Sequence, residues 1–93
     1  MNPKLEQISK ELNIPSDELL DLSLLAYLEH ELRLAEEDIA DIRDKYMVAT
    51  REELEAKINQ KEINSHPAWE DLIIWENSDK YIEKLKSEIQ GIK

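Results

Sequence analysis

The sequence predicts an all-α chain of four helices, with two long ones folded back on each other as an antiparallel hairpin. Three observations carry this. The 93 residues hold one Gly, three Pro and no Phe but abundant Leu, Glu and Lys, the composition of long helices. Apolar residues recur at alternating spacings of three and four over the middle of the chain. The β-branched residues are modest in number and fall at helical spacings.

The elements follow in order along a single domain, residues 1–93. Asn2 and Pro3 form a cap and first helical position, and Leu5, Ile8 and Leu12 give the first helix, residues 1–15, one apolar face. "NIPS" at 13–16 interrupts it, because the residue before Pro15 is pushed out of the α region; Ser16 is the expected cap of the next helix. That second helix, residues 16–46, carries Leu25, Leu28, Leu32, Ala35, Ile39, Ile42 and Tyr46 as an unbroken heptad seam. At 1.5 Å per residue it is roughly 45 Å long, more than the ~30 Å width of a compact domain of this size. The molecule is therefore expected to be elongated. Thr50 with Glu53 is a capping-box pattern that opens a short third helix, residues 50–62, with Leu54 and Ile58 on its apolar side. Ser65 or His66 caps the fourth, residues 67–91, which has Pro67 in its first turn and Trp75, Ile82, Leu85, Ile89 and Ile92 on one seam, with Tyr81 at the margin.

The start of the second helix is unusual. Leu19, Leu20, Leu22, Leu24 and Tyr27 project around nearly the whole circumference, and a helix apolar all round is buried all round. These five residues are the expected interface of a homodimer, a twofold helical bundle in which a second copy supplies the missing neighbour. A chain this short gains only marginal stability from its own core, which favours self-association.

Both tryptophans fall in "SHPAWEDLIIWEN", residues 65–77. Trp75 belongs to the hairpin seam. Trp69 points nearly the opposite way with Ile73 one turn later, either covered by Leu54, Ile58 or Ile63 of the short third helix and its loop, or exposed as an aromatic anchor for a partner. Trp69 and Ile73 are thus the candidate partner-binding residues.

Charge and residue inventory exclude much else. Twenty-two Asp and Glu against twelve Lys and Arg give a net charge of −10, which repels phosphate backbones and favours a basic partner or simple solubility. There is no Cys, hence neither a disulfide nor a thiolate metal site. The N-terminus shows no signal-peptide pattern, and no apolar run approaches the ~20 residues that span a bilayer. A cytoplasmic protein with no membrane partner is expected. His30 lies among charged residues and His66 before a proline, and neither has the Glu-x-x-His spacing of helix-bundle metal sites. Glu36, Glu37, Asp38 and Asp41 radiate from a straight helix rather than converging from a bent loop as cation ligands do. No Gly-rich phosphate loop or activated nucleophile is present. The expectation is no catalytic, cofactor or metal site, and no enzyme activity.

Two resemblances add to this reading. "KLEQISKELNIPSDELLDLSLLAYLEHELR", residues 4–33, resembles the helix pair of ribbon-helix-helix proteins, which implies dimerisation through these helices. In that family a β-strand before the pair reads DNA, whereas here only Met1, Asn2 and Pro3 precede it. Residues 1–32 also hold two lysines against seven carboxylates, a local charge of −5 that repels phosphates. A DNA-binding repressor is accordingly the least favoured function. "IRDKYMVATREELEAKI" and "HPAWEDLIIWEN" resemble the C-terminal region of small helical antitoxin-like members of toxin–antitoxin pairs, with Met47 where that group often has glycine. This implies a protein that neutralises a basic toxin, the alternative being a structural or adaptor module that only self-associates.

Overall fold

The computed structural model describes residues 2–93 and is all-α. Helix α1 spans Pro3–Leu12, α2 Ser16–Tyr46, α3 Arg51–Asn59 and α4 Ser65–Ile92. Residue pairs between α2 and α4 run in opposite senses: Tyr46 meets Asp71 near one end and Glu31 meets Tyr81 further along. The hairpin is therefore antiparallel. The molecule measures 60 × 20 × 19 Å, the elongated shape expected from a 31-residue helix that cannot fold back on itself.

Local chemistry sets the boundaries. Asn2 Oδ1 accepts from the Lys4 N–H at 2.9 Å and Pro3 occupies the first turn, where its missing N–H is harmless. Asn13 closes α1 in the left-handed region, a conformation that Asn adopts more readily than most residues. The expected Ser16 cap is a correction: Pro15 is the cap position, makes no side-chain cap bond, and Ser16 is already helical. At the other end Met47 takes φ 54° and ψ 49°, the left-handed backbone that glycine favours. The Val48 N–H donates to Arg43 O at 3.0 Å and the Arg43 Nε to Ala49 O at 3.0 Å, which fixes that turn.

Helix α3 starts on Thr50, whose Oγ1 accepts from the Glu53 N–H at 3.1 Å. Glu53 reaches back to the Ala49 N–H rather than to that of Thr50, one residue earlier than the reciprocal box predicts. It ends at Asn59, short of the expected residue 62. Within α4, His66 is non-helical (φ −120°, ψ 120°), as the residue before a proline is biased to be, and regular helix begins at Pro67.

The core lies at one end. Ile39 and Ile42 of α2, Val48, Leu54 and Ile58 of α3, and Ala68, Leu72 and Trp75 of α4 form one buried cluster, with Tyr46, Ile63 and Ile82 packed against it. Ala35, Leu85 and Ile89 extend the buried seam along the hairpin. Towards the other end the heptad residues Leu25, Leu28 and Leu32 are only half-buried. The apolar face expected on α1 is incompletely covered, since Ile8 and Leu12 stay exposed and the buried residue of that helix is Ser9, whose hydroxyl donates to Ile14 O. Arg51 ties α3 to α4 through Asp79 at 3.0 Å and Glu76 at 3.7 Å. Among the described residues no helix is long and apolar enough to cross a membrane.

Candidate functional site

The Leu-rich start of α2 is where the fold leaves apolar surface uncovered. Leu20, Leu22 and Leu24 each expose nearly half of their area and Tyr27 more, while Leu19 is half-buried. α1 packs on one side of this segment and the end of α4 approaches another, with Ile92 beside Leu22 and Leu25. Two flanking helices cannot enclose a helix that is apolar around most of its circumference. Asp17, Glu18 and Asp21 rim the recess beside Ile92.

Trp69 is 42% exposed. It borders a shallow recess with Ile58, Ile63 and Asn64, so the α3 side covers part of the ring and leaves the rest to solvent. Leu54, one of the residues expected to cover it, is instead sealed in the core. Ile73 is exposed one turn further on, and the pair forms a small apolar patch. Trp75, by contrast, is 2% exposed, with the Arg43 guanidinium 5.4 Å from its ring centroid. The opposite fates of the two rings follow from their six-residue separation on one helix.

A polar staple lies between the two long helices beside the core. The Tyr46 hydroxyl and the Lys45 Nζ both donate to Asp71 Oδ2, the latter at 2.9 Å, and Lys57 Nζ donates to Tyr46 O at 3.1 Å. Donation from Tyr46, and then from Lys45, holds the Asp71 carboxyl below the usual range. Burial, followed by the adjoining Asp71, pushes the Tyr46 phenol up. The Asp71 hydrogen bond likewise raises Lys45. These shifts stabilise the charge states already present at neutral pH, so the arrangement locks a joint rather than activating a group for chemistry.

The linkage has a defined sign. The folded pKa of Asp71 is below its unfolded value, so its stabilisation is complete above the ordinary carboxylate pKa and is lost as pH falls through the lowered folded pKa. Asp71→Asn is expected to cost about 1–2 kcal/mol at neutral pH. The difference from the parent should shrink below about pH 4. Urea denaturation of both proteins across that range reads the effect, and a difference independent of pH would contradict it.

The remaining sequence candidates are scattered. His30 is exposed, and His66 is exposed with Glu70 Oε1 3.4 Å from its Nδ1. Glu36, Glu37, Asp38 and Asp41 are all exposed along α2, and among the described residues no group of three or more His, Cys, Asp or Glu side chains converges as a metal site would. Sequence reasoning missed the Lys45–Tyr46–Asp71 joint and the core positions Val48, Ala68 and Leu72. Leu72 was detectable, lying one turn before Trp75 on the same face.

A family model described as "Uncharacterized protein MJ0235 family" matches residues 1–93. No curated protein and no solved structure matches the chain.

Proposed function

The chain belongs to the MJ0235 family, and we propose that it works as a non-enzymatic protein-binding module, antitoxin-like, which self-associates through the start of α2 and neutralises a basic partner protein. The observation that carries this reading is the exposed Leu20, Leu22, Leu24 and Tyr27 on a chain whose main buried cluster lies at the opposite end. A soluble monomer rarely leaves so many large apolar side chains together in water, and a second copy covers them with the same residues. The net charge of −10 steers a basic protein towards the assembly, and Trp69 with Ile73 offers that protein an anchor. The antitoxin role rests on the residue patterns around Tyr46 and His66, and a cytoplasmic setting accords with it.

Sedimentation at micromolar concentration should give a dimer, and Leu20→Glu with Leu24→Glu should give a folded monomer. A parent protein that sediments only as monomer would rule out the self-association. Co-expression with the product of a neighbouring toxin-like gene should give a stable complex. If that toxin remains active and unbound, the neutralising role fails; a dimer without any such partner would favour the structural or adaptor reading, which the same exposed leucines support. Direct DNA binding is disfavoured by the −5 charge of residues 1–32.

A further inference from the structure

Helix α2 carries two heptad stripes, and only one is packed. The first, from Leu25 to Tyr46, faces α4. The second runs through Leu20, Leu24, Tyr27, Glu31, Leu34 and Asp38, again alternating at four and three residues. All of these except Glu31 are exposed, and Glu31 is half-buried. Midway along the hairpin this stripe adjoins the margin of α4, and the two helices form an open groove whose apolar lining is Leu34, Ile74 and Tyr81. Leu20, Leu24 and Tyr27 of this stripe belong to the self-association end, and only its part from Glu31 to Asp38, with Leu34 as the apolar member, lines the groove.

The polar lining of the groove narrows the identity of its occupant. It consists of Glu31, Asp38, Asn77 and Ser78, without a Lys or Arg. Glu31 accepts from the Tyr81 hydroxyl at 2.9 Å, and among the described residues neither Glu31 nor Asp38 is ion-paired. The next heptad position after Asp38 is Asp41, and the basic residue that follows on this stripe, Lys45, is engaged with Asp71. The groove on the opposite side of the hairpin differs, since Arg33, Lys86 and Lys93 alternate there with Glu29 and Glu36. A second copy meeting this groove with its own would set carboxylate against carboxylate, whereas at the start of α2 it would meet exposed leucines.

We propose that the groove between α2 and α4 takes an amphipathic helix of a partner protein, with an apolar stripe against Leu34, Ile74 and Tyr81 and Lys or Arg residues beside Glu31 and Asp38. The proposal rests on the protein-binding reading above and gives it a surface distinct from the Trp69 patch and from the self-association end. The bound helix packs as a third member alongside the hairpin, its basic residues meeting carboxylates that the chain leaves unpaired.

The test uses the full chain and a synthetic helical peptide of about three heptads, with Leu at the seam positions and Lys at the flanks. A control peptide carries Glu in place of Lys. Calorimetric titration should show binding of the Lys peptide alone, weakened at least about tenfold by Glu31→Gln with Asp38→Asn and by raising salt severalfold. Leu34→Glu with Ile74→Glu should abolish it, and Glu62→Gln, an exposed carboxylate in the turn after α3, should leave it unchanged. These positions are exposed or half-buried, so unchanged thermal unfolding shows that the variants remain folded. No binding of the Lys peptide, equal binding of the Glu peptide, or insensitivity to Leu34→Glu with Ile74→Glu would overturn the proposal. Loss on Trp69→Ala alone would also overturn the groove while leaving the protein-binding reading intact.

Discussion

Trp75→Ala is expected to destabilise the fold by about 3–5 kcal/mol, enough to leave a 93-residue chain with so localised a core largely unfolded at ambient temperature. The ring is 2% exposed and sits in the cluster formed with Ile39, Ile42, Val48, Leu54 and Leu72. Truncation loses its transfer free energy and opens a cavity that residues on three helices would have to collapse to fill. It also removes the partner of the Arg43 guanidinium. That arginine is held by Ala49 O at the end of α2, so the damage spreads to the turn that leads into α3. Trp69→Ala is the internal control: with its ring 42% exposed, it should cost no more than about 1 kcal/mol. Denaturant unfolding followed by circular dichroism would separate the two, and equal losses would show that the seam is not centred on Trp75.

The contrast between the two tryptophans shows what was legible in the sequence. The limits of α2 at Ser16 and Tyr46 were readable because a Pro-containing break precedes a heptad seam that runs without interruption. The buried Ala35, Ile39 and Ile42, and the Trp75, Leu85 and Ile89 seam opposite, follow from periodicity alone. Other features depend on distances that no local pattern records. Asp71 meets Tyr46 across 25 residues of chain, and nothing around either residue announces the other. The groove of Leu34, Ile74 and Tyr81 arises from the margins of two helices, each of which looks by itself like an ordinary boundary between apolar and polar faces. Val48 looks like a loop residue, yet the left-handed Met47 before it turns the chain so that Val48 drops into the core.

The same leucine chemistry should have opposite consequences at the two ends of the molecule. Leu54 is 0% exposed in the cluster that joins α3 to α4, so Leu54→Ala is expected to cost about 2–5 kcal/mol whatever the protein concentration. α3 has only nine residues, too few to persist as an isolated helix, and with the Leu54 contact weakened it should lose amide-exchange protection before α2 and α4 do. Leu24→Ala removes the same atoms from a side chain that is half in water, so in dilute solution it should change stability by less than about 1 kcal/mol. If the start of α2 is a self-association surface, that small effect should grow with protein concentration, because the parent gains stability on assembly and the variant gains less. Unfolding of both variants and the parent at two concentrations a hundredfold apart tests the pair together. A concentration-independent Leu24→Ala effect would remove the assembly explanation for the exposed leucines, while a mild Leu54→Ala would show that α3 is held chiefly by its ion pairs from Arg51 to Glu76 and Asp79.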